Sequence, residues 1–159
     1  MRNEPTYDVR IARPGGGARK IETRLRKAIR AVLRGHRVVS ARVSVALVDD
    51  TAMARLNRDR LGHHGPTDVL SFDLRDDGNT NTAVDGEIVM SVDMAARQAR
   101  QRGHTVEAEL ALYAVHGTLH LLGYDDRRKA DAARMHEMED EILSSIGLGA
   151  VYARRGVTL

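Results

Sequence analysis

The chain has no cysteine and no tryptophan. Without cysteine there can be no disulfide framework, no thiolate metal site and no cysteine nucleophile. That usage also fits a reducing compartment. Aromatic residues fill 3% of the 159 positions, so the core must be aliphatic and stacking platforms for bases are few. Lysine is scarce too: Lys20, Lys27 and Lys129 are the only ones, and arginine carries the rest of the basic charge. No run approaches the roughly 18 apolar residues of a membrane span. The opening Met1-Arg2-Asn3-Glu4-Pro5 has no apolar stretch of the kind a secretory signal carries. We therefore expect a cytoplasmic protein with no membrane partner.

The apolar fraction of 42% and charged fraction of 30% suit a folded, soluble chain. Its length suits one domain, 1–159, with a single sizeable core. The net charge is +3 and the pI about 9.6. Arginine forks match phosphate oxygens, so this balance permits a nucleic-acid partner without requiring one.

Residues 7–11 alternate as a short strand would, and Pro14-Gly15-Gly16-Gly17 breaks them. Residues 18–35 form an amphipathic helix. Ile21, Leu25, Ala28 and Val32 share one face, and arginines and lysines cover the rest. That basic surface is either solvated or a track for phosphates. Residues 38–48 make the clearest strand. Asp49-Asp50-Thr51 then caps a short helix with Met53 and Leu56 inward and Arg55, Arg58 and Arg60 outward. Residues 67–72 and 86–91 read as an antiparallel pair joined by a polar connection, 76–85. Helices follow at 92–102, from a Thr105 cap to about 122, and over 127–146. The last is read with Met135, Met138, Ile142 and Ile146 inward and an acidic outer face that includes Glu139. Strands early and helices late predict an α+β fold, a mixed sheet of about four strands with about five helices.

The helix ending near residue 122 is apolar nearly all round, which makes it the central, buried one. His116 and His120 project from it four residues apart, on one face and one turn apart. Gly123 can end the helix in a left-handed conformation. The returning chain can then bring Asp125 or Asp126 beside the two imidazoles. Two nitrogens and one carboxylate oxygen with a position left open are what a catalytic zinc site requires. The spacing is similar to that of metzincin proteases. Those enzymes carry a glutamate base directly after the first histidine, and here that position is Gly117. Of the other histidines, His63 and His64 read as solvated loop residues, His104 as a capping or structural residue and His136 as ordinary. Asp68 and Ser71, taken as sharing a strand, would point to opposite faces, so at most one would meet the metal cleft. Glu87 reads either as a second carboxylate of the site or as a strand-edge polar residue.

The whole stretch 116–126 resembles the core motif of the YbeY family of bacterial rRNA-maturation endoribonucleases, His-Gly-x-Leu-His-Leu-x-Gly-Tyr-Asp-His. Every fixed position matches from His116 to Asp125, and Asp126 stands in the final histidine's place. Pro66-Thr67-Asp68-Val69-Leu70-Ser71-Phe72, Leu56-Asn57, Gly86-Glu87-Ile88, and Met135, Glu139 and Ile142 extend the resemblance over about 40–147. It implies one zinc ion held by His116, His120 and Asp126 and a single-strand-specific endoribonuclease of rRNA maturation and ribosome quality control. RNA and the ribosome or its small subunit would be the partners, with no organic cofactor. Arg55, Arg58 and Arg60 would touch RNA. Where the family carries an arginine four residues after the asparagine, Leu61 stands here, with Arg60 just before it. The alternatives are a metalloprotease or other metal hydrolase, and a non-catalytic ribosome-binding factor with a structural zinc.

Overall fold

A computed structural model describes residues 3–13, 19–62, 65, 67–76, 82–149 and 151. The 14–17 loop, His63, His64, Pro66 and most of the tail from 150 onward lie outside these residues. Among the described residues nine elements follow one another: β1 (Thr6–Ala12), α1 (Arg19–Gly35), β2 (Ser40–Val48), α2 (Asp50–Leu61), β3 (Val69–Asp73), β4 (Ala83–Ser91), α3 (Val92–Arg102), α4 (Val106–Leu121) and α5 (Lys129–Ser145). The α+β expectation of a four-stranded mixed sheet with five helices matches what is seen. The sheet runs in the order β1-β2-β4-β3. The first three strands are parallel and β3 lies antiparallel on the edge.

Side-chain alternation explains the layers. Val43, Val45 and Leu47 of β2 and Ile88 and Met90 of β4 face the same side, where they meet Leu25, Ile29 and Leu33 of α1 and Leu110, Tyr113 and Leu121 of α4. The opposite face carries Leu70 and Val89 and is covered by Met53 of α2. A further apolar layer joins Ala28 and Val32 of α1 to Leu112, Val115 and Leu119 of α4 and Met135 and Leu143 of α5.

The helix α4 is thus packed on three sides, as its all-round apolarity predicts. From Ala108 to Leu121 every residue is buried except His116 and His120. Its start is capped by Thr105, whose hydroxyl accepts from the Ala108 amide at 3.1 Å. Close approach to the sheet depends on glycine. A Cβ on Gly86 would meet Leu121 Cδ2 at 2.6 Å, and one on Gly117 would meet Ile88 Cγ2 at 2.9 Å and Ser71 Oγ at 3.0 Å. The far end of α4 is clamped by Arg75, which donates to the Leu121 carbonyl at 2.5 Å and to the Ala83 carbonyl at 3.0 Å. Asp73 holds the other side of that guanidinium at 2.9 Å, which lowers the Asp73 carboxyl below its ordinary range.

Some details differ from the sequence reading. The strand β4 begins at Ala83 rather than Gly86, because 83–85 pair with 40–42 of β2 and Arg42 ties to Asp85 at 3.1 Å. The buried stripe of α5 is Met135, Glu139 and Leu143, while Met138, Ile142 and Ile146 are half-buried. Glu139 therefore does not belong to the acidic outer face.

Candidate metal centre

The turn after α4 shapes the site. The Gly123 amide donates to the His120 carbonyl at 3.0 Å and the Tyr124 amide to the Leu119 carbonyl at 3.1 Å. That is the paired closure of a Schellman motif, which needs a left-handed residue, and Gly123 has φ +96°. The reversed chain brings the Tyr124 carbonyl back to His120, whose Nδ1 donates to it at 2.9 Å. The Nδ1 of His116 donates to Glu139 Oε1 at 2.6 Å. Both imidazoles are thereby fixed in the tautomer that leaves the Nε2 lone pair free.

The two Nε2 atoms lie 2.9 Å apart, with Asp126 Oδ2 at 3.5 Å from His116 and 3.8 Å from His120. Tetrahedral zinc with bonds of about 2.0–2.1 Å separates its donors by about 3.3 Å. The observed triangle brackets that spacing. With both rings in that neutral tautomer, two lone pairs face each other beside a carboxylate, an arrangement that a cation between them satisfies. His116, His120 and Asp126 could therefore hold a metal ion, and among the described residues no other such group of three is found.

The two rings differ in their charge environment. Burial works against a charged imidazole at His116, yet the hydrogen bond and charge of Glu139, with Asp126 and Asp68, lift it above the ordinary histidine range. At His120, burial and the neighbouring charge of His116 outweigh Asp126 and hold it below that range. Asp125 is engaged elsewhere. It accepts from Arg127 Nε at 2.7 Å and from the Arg127 amide at 3.0 Å, and this pairing pulls its carboxyl down to about 2. Of the two adjacent aspartates, Asp126 is the one turned toward the histidines.

The cleft in front of this group is about 490 Å³ and is walled by Leu61, Thr67, Asp68, Ser71, Asp73 and Leu121. Asp68 and Ser71 both reach it, contrary to the expectation from strand alternation. The strand starts at Val69, so Asp68 precedes it and the two-residue period does not apply. Glu87 lies on the opposite face of the sheet, in register with Phe72. Arg55, Arg58 and Arg60 are exposed on α2 and do not line the cleft. The Arg60 guanidinium sits 4.9 Å from the Phe72 ring centre, and Leu61 takes the place beside the metal group.

Sequence reasoning missed three supports. Glu139 is buried and bridges two histidines, with Oε2 3.1 Å from His136 Nδ1. Its four-residue spacing from both Met135 and Leu143 was the available signal. His36, which no local pattern marks, donates through Nδ1 to the Val32 carbonyl at 2.8 Å and accepts at Nε2 from the Tyr124 hydroxyl at 3.0 Å. Arg75 was not singled out either. The His104 side chain is buried against Glu109 at 2.5 Å.

A model of the family described as Endoribonuclease YbeY matches residues 16–147. The chain belongs to the YbeY family. It is 40% identical over 148 residues to Endoribonuclease YbeY of Anaeromyxobacter sp. (strain Fw109-5), covering 93% of this chain and 77% of that protein. The Moorella thermoacetica protein of the same name is 47% identical over 116 residues, 68% of this chain and 74% of that one. The solution structure of TM1509 from Thermotoga maritima superposes with a TM-score of 0.59 at 26% identity, covering 87% of this chain and 91% of that one.

The Glu139 carboxylate gives this YbeY site a testable support. Glu139→Gln keeps an acceptor for His116 but removes the charge. Metal affinity is expected to fall about 10–100-fold, the usual cost of weakening a ligand's outer partner. Chelator competition reads it, and an unchanged affinity would mean that Glu139 serves packing alone.

Proposed function

We propose that this protein is a zinc-dependent, single-strand-specific endoribonuclease of rRNA maturation and ribosome quality control, with one zinc ion per chain on His116, His120 and Asp126. The observation that carries this reading is the convergence of two Nε2 atoms and Asp126 Oδ2 on an open cleft, in a chain of the YbeY endoribonuclease family. Two imidazoles and a carboxylate without sulfur suit zinc. With three converging groups, a tetrahedral site keeps one position for substrate or water. That supports a catalytic site over a structural one. Ribosomal RNA and small-subunit components are the proposed partners, and the lack of cysteine supports a cytoplasmic setting. Among the described residues no helix is long and apolar enough to cross a membrane.

Bound there, zinc would supply Lewis acidity and stabilise negative charge developing on the phosphoryl group. The chain's own contribution is proton handling and shape. Three non-glutamate carboxylates line the cleft. Asp126 faces the imidazoles and Asp73 is held by Arg75. Asp68 remains, fixed by the Val69 amide, which donates to its Oδ1 at 2.8 Å. In this reading Asp68 accepts a proton as water adds to phosphorus. The bond from phosphorus to one ribose oxygen breaks, and that proton passes to the departing oxygen. Apart from the two ligand histidines, no ring lines the cleft among the described residues, which supports a reading in which base identity matters little.

The test is Asp68→Asn, which retains the contact to the Val69 amide. Turnover on single-stranded RNA is expected to drop about 10²–10⁴-fold, the range for a lost general base, at unchanged zinc content. Casein should remain intact with both proteins. Undiminished RNA turnover would remove Asp68 from the mechanism, and casein cleavage that requires zinc would favour a protease.

A further inference from the structure

The basic face of α1 is not used by the metal cleft, and its shape and direction give it a role. A groove of about 450 Å³ follows the helix, lined by Arg26, Lys27, Arg30, Arg34 and Ile146. It is continued by a second hollow of about 360 Å³ that shares Lys27 and Ile146 and adds Lys20 and Arg24.

These cations differ in how they are held. Lys20 and Arg24 face Glu107 at 3.9 and 3.8 Å. Arg26 donates to the Val9 carbonyl at 3.1 Å and lies 3.9 Å from Glu22. Lys27, Arg30 and Arg34 are exposed and have no carboxylate partner among the described residues. They stand three and four residues apart, on one face of the helix over about 10 Å of its length. Like charges at that spacing cost a helix a few tenths of a kcal/mol per pair. A concave row of such charges is complementary to a polyanion.

Direction supplies the second argument. The helix α1 starts beside the start of α4, where its cations meet Glu107, and ends beside the end of α4. There His36, two residues beyond Arg34, accepts from the Tyr124 hydroxyl at 3.0 Å. Tyr124 immediately precedes Asp125 and Asp126. A hollow of about 300 Å³, lined by His36, Leu122, Gly123 and Tyr124, lies at that junction. The free cations therefore lead to the loop that carries the metal group.

We propose that the groove along α1 binds the phosphodiester backbone of the same RNA strand whose scissile segment occupies the metal cleft, through Lys27, Arg30 and Arg34. This rests on the endoribonuclease reading. Arginine forks suit phosphate oxygens without reading sequence.

The test compares the native protein with the Lys27→Gln, Arg30→Gln, Arg34→Gln triple variant. Binding of a fluorescent single-stranded RNA long enough to span both sites is followed against salt, with a chelator present to keep the strand intact. Three lost phosphate contacts on a single strand should lower the slope of log affinity against log salt by about 2 and weaken binding about a hundredfold near 0.1 M salt. With metal restored, cleavage of a trinucleotide that fills only the cleft should be unchanged. An equal slope and affinity in the two proteins would overturn the assignment and return this face to solvent or to a protein partner. Failure of the native protein to bind RNA at all would overturn the groove together with the endoribonuclease reading. A loss confined to the trinucleotide would also contradict it, since the variant would then have damaged the cleft.

Discussion

His120→Ala is expected to yield a folded protein that holds no zinc and cuts RNA at least about a thousandfold more slowly, the scale of a lost electrostatic stabiliser of a transition state. Of the two histidines, His120 gives the cleaner experiment. Its side chain is 30% exposed, against 19% for His116, and its Nδ1 contact is to a loop carbonyl. The Tyr124 carbonyl can turn to water when the imidazole is gone. Removing His116 would also empty the site, but it would take a partner from Glu139, which is buried to 1% exposure. A buried carboxylate deprived of a hydrogen bond costs about 1–3 kcal/mol or more. Lost activity in His116→Ala would then mix metal loss with destabilisation. Metal content, melting temperature and RNA turnover measured on His120→Ala separate the two. Full metal retention in that variant would remove His120 from the ligand set.

Gly117→Glu is expected to destabilise the protein by about 3 kcal/mol or more and to create no protease. In the zinc proteases with similar histidine spacing, the residue after the first histidine is a glutamate base. Restoring that glutamate is the obvious way to seek protease chemistry. Here the position faces the sheet. Even one methyl group would lie 2.9 Å from Ile88 Cγ2 and 3.0 Å from Ser71 Oγ. Ile88 is fully buried and β-branched, so it has little freedom to move. Alanine would gain about 1 kcal/mol of helix propensity over glycine. Overpacking costs about 1–3 kcal/mol, so the clash outweighs that gain. Glutamate adds a further methylene and a carboxylate in an apolar layer, a further burial penalty. The expected result is a lowered denaturation midpoint and no casein hydrolysis. A stable, zinc-loaded Gly117→Glu protein would show that α4 can lift from the sheet.

The metal group was legible because it is local. Four-residue spacing places His116 and His120 on one face, and a glycine at 123 predicts the reversal that follows. What sequence left open was the choice between Asp125 and Asp126, which depends on Arg127 capturing its neighbour two residues back. The surroundings of the site were less legible because they come from distant elements. Glu139 looks like part of an acidic face, since acidic residues surround it in sequence. Its place in the Met135–Leu143 stripe is set by how α5 is rotated on α4. Asp68 was assigned by a strand period that begins one residue later. His36 and Tyr124 are 88 residues apart, and nothing in either segment announces the contact. In the fold, element types and most boundaries followed from periodicity and caps. The β1-β2-β4-β3 order did not, because it depends on which strands the helical connections bring together.

The central claim is that RNA cleavage depends on one zinc ion at His116, His120 and Asp126. Chelated protein titrated with zinc, with single-stranded RNA cleavage read at each addition, tests it most directly. The account predicts that cleavage rises with zinc and saturates at about one ion per chain, and that His120→Ala stays inactive throughout. Cleavage that persists in the chelated protein, or in folded His120→Ala, would contradict it.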